Sequence, residues 1–285
     1  MSKSLRVIIY IVLVIFFTLF NFYFRPVKGN KLVKKDGPTY INNLYYSDEN
    51  CKNTLLDDDS KKVYDKIIKD TLNNKIITDD ECEIDDCFSK LHQIDSCIYI
   101  DHPELLSFYL MSWKKYPTKT TYSVQTMESF RYNLAKRRIE REIDIVKRET
   151  KKMNDREKII FVYDYVSKHN YDRVFTYAGS NQSIYSFFTG GKSVCAGFAK
   201  SSQIIFQNIG IESYLVLGYE HMWNYVKYDG KYYVFDATMG ASYRDKTLPN
   251  HYDGLGETTV EKTIGENSIL YPPIEQEKLK DIILD

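Results

Sequence analysis

The chain lacks a net charge: over 285 residues, 39 lysines and arginines balance 39 aspartates and glutamates. That balance removes the global field by which a protein gathers nucleic acid or acidic ligands, so electrostatics names no partner. Cysteine is scarce, five in all, and no two stand in a CxxC pair. The spacing from Cys51 to Cys82, Cys87 and Cys97 therefore speaks against zinc. The acidic stretch DDECEIDD, residues 79–86, has neither the glycine nor the ligand alternation of an EF-hand loop and is expected to be a solvated turn. Repeats and long low-complexity tracts are absent, and no pattern calls for a metal or a cofactor. What is plentiful is tyrosine, 25 residues, read here as the coding bias of an AT-rich genome rather than as a stacking surface.

The length suits one main core with additions. From Val7 to Phe24 the chain reads VIIYIVLVIFFTLFNFYF, uncharged throughout and close to the length of a membrane-crossing helix. Its end, FNFYFRP, offers no small residues for a signal peptidase, so residues 1–25 are expected to be an uncleaved, single-pass transmembrane anchor. Arg25, Lys28, Lys31, Lys34 and Lys35 follow the run, and the positive-inside rule taken literally would hold the rest of the chain in the cytoplasm. The short basic head with Lys3 and Arg6 resembles an export signal instead, and an extracytoplasmic domain is the favoured expectation. The cysteines bear on this point. Cys51, Cys82, Cys87 and Cys97 cluster in the first third, where an oxidising compartment would let them pair in any of three ways. Cys195 stands apart.

Residues 26–58 are polar, basic and broken by Pro and Gly, as suits a stalk, and residues 59–120 are expected to form a helical N-terminal region. Ser60 precedes KKVYDKIIKDTL, whose Val63, Tyr64, Ile67, Ile68 and Leu72 share one face. CFSKLHQI reads as a short second helix. SCIYIDHPELLSFYLMSW, rich in β-branched and aromatic residues, reads as strand or buried connector, with His102 before Pro103 as a turn residue. A domain over residues 121–285 opens with a long helix from Thr126 to Lys152, striped by Tyr132, Ala135, Ile139, Ile143 and Val146. The mixed charges of KRRIEREIDIVKRE are read as i,i+4 pairs, with a coiled-coil partner face as the lesser option. Asn154 and Glu157 spell a capping box for DREKIIFVYDYVSKH.

In AGFAKSSQIIFQNIG, Phe198, Ser202, Ile205 and Phe206 fall at helical spacing and Gly210 stands where a left-handed residue ends a helix. Cys195 is thus expected at a helix N-terminus, where unpaired N–H groups and the helix dipole favour a thiolate. IESYLVLGY then reads as a strand and HMWNYVKYDGKYYVFDATMG as a hairpin turning at Asp229-Gly230. A two-residue turn pairs Tyr228 with Lys231. Carried back along the strands, the register sets His221 opposite Thr238 and Trp223 opposite Asp236, with Asp236 diagonal to His221 on one face. Each of these residues alone is most often structural: a buried cysteine, a core histidine, a hairpin aspartate. Together they are the parts for thiol nucleophilic catalysis.

The run SIYSFFTGGKSVCAGFAKSSQIIFQNIGIESYLVLGY followed by HMWNYVKYDGKYYVFDAT resembles the transglutaminase-like superfamily of papain-type folds. Cys195, Gly197, Phe198 and Ala199 match its first motif, His221, Trp223 and Asn224 its second, and Asp236 and Thr238 its third; Tyr171 and Asp172 resemble the Tyr-Asp pair ahead of the nucleophile. The IDHPEL stretch is more faintly similar to a segment upstream of the domain in bacterial members. Ser193, Met222 and Met239 depart from the family's usual residues without removing a catalytic group. The resemblance implies an α+β fold whose nucleophile-bearing helix packs on an antiparallel sheet, preceded here by the helical region and the transmembrane helix. It implies that Cys195 attacks a peptide or carboxamide carbonyl, with His221 as base and then acid and Asp236 orienting the imidazole. The backbone N–H of Cys195 would supply one oxyanion donor, and Gln182 or Tyr185 a second only if their loop folds back. No metal or cofactor is implied. The substrate would be a protein or peptide, with hydrolysis at the cell envelope as the first expectation. Amine crosslinking is the alternative, and a non-catalytic binding module or a membrane-tethered scaffold built on the region from Cys51 to Cys97 are the readings from another class. Nothing in the sequence sets an oligomeric state.

Overall fold

A computed structural model describes residues 45, 47–73, 75–105, 110–125, 129–173, 180–242, 249–257 and 265–284. The expected anchor over Val7 to Phe24 and most of the stalk lie outside these residues.

Two hydrophobic cores organise the described chain. The first belongs to the N-terminal region. Helix α1 (Asn50–Leu55), helix α2 (Asp58–Leu72) and helix α3 (Cys87–Asp101) accompany an antiparallel sheet of β1 (Ile77–Cys82), β2 (Leu110–Lys115) and β3 (Thr120–Gln125), in the order β1-β3-β2. Tyr64, Ile67 and Ile68 of α2 meet Leu91, Ile94 and Ile98 of α3 and Tyr122 and Val124 of β3 in this core. Two disulfides, Cys51–Cys97 and Cys82–Cys87, staple it.

Several expectations are corrected here. The region ahead of the nucleophile domain is not simply helical, since it carries a three-stranded sheet. Among the described residues the architecture is mixed α/β with antiparallel sheets, and the expected membrane-spanning helix is not among them, since none of their helices is long and apolar enough to cross a membrane. Helix α2 starts earlier than Ser60, because Asp57 is the N-cap and accepts the Ser60 backbone N–H at 2.8 Å. The stretch SCIYID continues α3 instead of forming a strand or connector. Burial of Cys97, Ile98 and Ile100, with disulfide anchorage, outweighs the β preference of its isoleucines and tyrosine. The acidic stretch is half strand, residues 79–82, and half coil, bend and turn, residues 83–86, within the short loop closed by the disulfide from Cys82 to Cys87.

The second core is built by helix α4 (Ser129–Thr150), helix α5 (Asp155–Ser167), helix α6 (Ile184–Thr189) and helix α7 (Cys195–Ile209), with a sheet of β4 (Ser213–Leu217), β5 (Met222–Tyr228) and β6 (Lys231–Phe235) in sequential antiparallel order. Ala135, Ile139, Ile143 and Val146 bury the inner face of α4. The capping box at Asn154 forms with both of its hydrogen bonds. Phe206 of α7 meets Phe235 of β6 edge-on at 4.8 Å, which ties the helix to the sheet. Asp229 and Gly230 both take positive φ, 48° and 78°, as a type I′ hairpin turn requires, and Tyr228 pairs with Lys231 as the two-residue loop predicts. Helix α8 (Ala237–Ser242) follows β6 directly, and helix α9 (Leu279–Ile283) buries Leu279 and Ile283 in the same core.

Candidate active site

Cys195 is the first residue of α7 and the one free cysteine among the described residues, partly exposed. A short turn at 180–182 and the segment 170–172 hold the approach to it. Val194 donates its N–H to the Asn181 carbonyl at 3.0 Å, Ser193 donates to Asn170 at 3.1 Å, and Asp172 donates back to Ser193 at 2.8 Å. The Asn181 amide in turn donates to the Asp172 carboxylate at 3.1 Å. The Tyr-Asp pair therefore clamps the loop that presents the thiol. Gly197 explains its own place in the motif: a Cβ there would lie 2.8 Å from the Ser193 Cβ and 2.9 Å from the Asn181 carbonyl oxygen. Ser193, where glycine is usual, is fully buried but satisfied, its hydroxyl 2.8 Å from that of Ser186 and 3.1 Å from His169 Nε2. Burial pushes His169 down to about 4, which keeps it neutral at this contact.

His221 sits just ahead of β5, and Asp236 just beyond β6. The register is the expected one, but the ladder ends at the pair Asn224–Phe235, so Trp223 does not pair with Asp236 across the sheet as expected. Asp236 instead leaves the sheet at the start of α8, where its Oδ1 accepts the Thr238 backbone N–H at 3.0 Å and its own N–H donates to the Gly254 carbonyl at 2.7 Å. These bonds aim Oδ2 at His221 Nε2, 2.7 Å away, with the carboxylate almost wholly buried. Trp223 lies on the imidazole rather than opposite the acid, its ring nearly parallel at 5.7 Å between centroids. Asn224 joins the strand to the nucleophile's helix, donating from one buried amide to the Ala199 carbonyl at 3.1 Å and the Gln203 side-chain oxygen at 3.2 Å.

The structure thus brings Cys195, His221 and Asp236 together, and His221 is hydrogen-bonded to both partners. Burial opposes charge on the imidazole. The hydrogen bonds and charges of Asp236 and Cys195 outweigh it and raise His221 to about 10. An imidazolium facing a sulfur is the resting state that thiol catalysis needs. With Nε2 held by the carboxylate, Nδ1 is the nitrogen left to exchange a proton with the thiol.

Three residues near the site escaped sequence reasoning. Tyr99 of α3 packs with Cys195 against the cluster of Val194, Ala196, Ala199, Leu215 and Met222. Its hydroxyl donates to Gln182 Oε1 at 2.8 Å. Lys200, one turn into α7, is buried with its ammonium 3.1 Å from the centre of the Tyr99 ring. Burial pushes Lys200 down to about 7 against the pull of Asp95 and Glu104. Glu104 itself is buried against His102 at 2.9 Å, in the IDHPEL stretch. There Asp101 accepts the backbone N–H groups of Cys51 and Lys52, both at 3.0 Å. Helical periodicity around Cys97 was the available signal for Tyr99, hidden by its β-rich neighbours. No signal in the sequence joins Tyr99 to Gln182. Among the described residues no group of three or more His, Cys, Asp or Glu is arranged to hold a metal ion.

A thiol and an acid-held imidazole in this relation are the parts that thiol acyl transfer uses. The family model described as Transglutaminase-like superfamily matches residues 143–237, the stretch that contains Cys195, His221 and Asp236. The resemblance to that superfamily is shown for this segment. A solved structure described as "Crystal structure of a TGase" is 22% identical, with 48% of this chain and 46% of that one covered and a TM-score of 0.34. The chain thus spans about half the length of that structure, and a likeness of this extent carries no argument. No curated protein matches the chain.

Proposed function

We propose that the protein is a thiol acyl transferase that cleaves peptide or carboxamide bonds through Cys195, His221 and Asp236. The observation that carries this reading is the double engagement of His221, by the Asp236 carboxylate at 2.7 Å and by the Cys195 thiol. The Cys195 sulfur adds to the carbonyl carbon, the carbonyl electrons move onto oxygen, and the imidazolium gives its proton to the departing amine as the tetrahedral intermediate collapses to a thioester. His221 then takes a proton from the incoming acceptor, whose oxygen or nitrogen displaces the sulfur. Asp236 keeps the imidazole in one tautomer and orientation throughout.

Water is the proposed acceptor, which makes the enzyme a peptidase or amidase. The paired cysteines of the N-terminal region suit an oxidising compartment outside the cytosol, so substrates at the cell envelope are the proposed targets. Intact-mass measurement after incubation with a peptide library tests the reading: an acyl adduct on Cys195 of the wild type that Cys195→Ala never forms is the expected result. Adding cadaverine separates the acceptors, because a crosslinking enzyme would yield amine-linked product in place of free acid. A protein that forms no adduct, and whose Cys195 alkylates only after unfolding, would be a binding module instead.

A further inference from the structure

We propose that Tyr163, on α5, is a positioning residue of the acyl-transfer site: its buried hydroxyl joins the two backbone segments that hold Asp236, and so sets how firmly the carboxylate grips His221. The inference rests on the acyl-transfer reading above and deepens it.

Asp236 stands just past the last paired residue of β6, so the sheet ladder does not hold it. Two other segments do. At the start of α8, the N–H groups of Thr238 and Met239 donate to its Oδ1 at 3.0 Å and to its carbonyl at 3.2 Å. On the other side, its own N–H donates at 2.7 Å to the carbonyl of Gly254, just beyond the short turn Pro249–Tyr252. The carboxylate is aimed only as well as these two supports are fixed relative to each other.

The Tyr163 hydroxyl lies between them. It is fully buried and donates to the His251 carbonyl at 2.8 Å, while the backbone N–H groups of Gly240 in α8 and of Gly254 hydrogen-bond to its oxygen. A phenol has one proton to give and lone pairs to receive, and here both uses go to the segments that hold Asp236. The approach is close on each side: a Cβ at Gly240 would lie 2.8 Å from the phenol oxygen, and one at Gly254 2.7 Å. The ring itself meets Phe235, the residue before Asp236, edge-on at 5.5 Å. Asp164, next on α5, fastens the turn a second time, its Oδ1 accepting the Tyr252 hydroxyl at 3.0 Å and facing His251 Nε2 at 3.4 Å. Burial and the neighbouring Asp236 charge push the Tyr163 phenol above its ordinary range, so it stays protonated and keeps donating. A carboxylate held from two sides by one rigid pillar keeps its imidazole partner in a single orientation through both proton transfers.

The test reads the contact between His221 and Asp236 directly and acyl transfer separately, both in the full chain. Tyr163→Phe keeps the ring and removes the hydroxyl. The midpoint of the His221 ring titration, followed by NMR of protein carrying isotope-labelled histidine, should fall from about 10 by about one pH unit. The Cys195-dependent nitrophenolate burst with p-nitrophenyl acetate should slow about tenfold. Tyr252→Phe, which releases only the second fastening, should move both readings the same way by less. Tyr64→Phe is the control: it deletes an equally buried hydroxyl, 3.2 Å from Asp101 in the first core, and should change neither. If either the midpoint or the burst of Tyr163→Phe stays at its wild-type value, or if Tyr64→Phe lowers both as much, the hydroxyl serves the fold alone and the proposal is wrong. A burst that survives in Cys195→Ala would sink the acyl-transfer reading, while the His221 midpoint would still decide whether Tyr163 sets the contact with Asp236.

Discussion

The two cores of this protein are stabilised by different means. The N-terminal core carries both disulfides, one spanning a sequence separation of 46 residues and one of 5, and buries Asp101, His102 and Glu104 in a polar cluster. The C-terminal core has no disulfide among the described residues and relies on interlocked aromatics, among them Tyr163, Phe198, Phe206 and Phe235. A free thiol is what the second region is organised to present, and every other cysteine is placed in the first. Covalent staples beside a reactive sulfur would invite thiol–disulfide exchange, so their separation keeps Cys195 available. The regions meet at Tyr99, where the stapled part reaches the site of the unstapled one.

Removing the reactive groups breaks the comparison most sharply. Cys195→Ala and His221→Ala should each lower acyl transfer by about a thousandfold or more, while calorimetry of Cys195→Ala finds a melting transition close to wild type. Asp236→Asn should follow at about a hundredfold or more, because the amide can hold the imidazole in the wrong tautomer. His221 is raised from the usual 6.5 to about 10. Its pairing therefore stabilises the fold fully below about 6.5 and is lost as pH rises through about 10, where the rate should also fall for want of the acid. A pH–rate profile with no alkaline limb near 10 would contradict this.

Next in size come the staples. Replacing Cys51 and Cys97 by serine should cost about 4 kcal/mol from loop-closure entropy, and replacing Cys82 and Cys87 about 2 kcal/mol, read from urea unfolding followed by the single Trp113 after Trp223→Phe. On the other side, Gly197→Ala should be destabilising by about 1–3 kcal/mol, since the new methyl group meets Ser193 and the Asn181 carbonyl, and Cys195 alkylation should slow with it.

The smallest effect sets the regions against each other by pH. Burial raises Asp101 to about 6 in the first region and lowers His169 to about 4 in the second. Between pH 4 and 6 the folded Asp101 binds a proton that the unfolded chain does not, so acidification stabilises its surroundings. For His169 the unfolded chain binds the proton, so the same acidification destabilises the loop at Ser193. Amide exchange at pH 5 and 7, corrected for intrinsic rates, should show protection moving from the second region toward the first.

Much of the second region could be read along the chain. The start of α7 at Cys195, its end at Gly210, the capping box at Asn154 and the hairpin register all follow from local rules in which a few neighbouring residues decide the outcome. The first region was read less well. The length of α3 and the presence of a three-stranded sheet depend on long-range pairing, β1 with β3 across some forty residues, a kind of contact that carries no local signature. The membrane-spanning helix expected near the N-terminus lies outside the described residues, among which no helix is long and apolar enough to cross a membrane.

By itself, then, the sequence determined how the candidate side chains are presented along the chain, because helix starts, turns and strand alternation are governed by neighbours within a few bonds. Only the tertiary structure decided that His221 grips Asp236 from beyond the end of the ladder, that Cys51 pairs with Cys97, and that Tyr99 reaches Gln182. Those contacts join residues far apart along the chain, and their geometry is set by how two cores pack and not by any local preference.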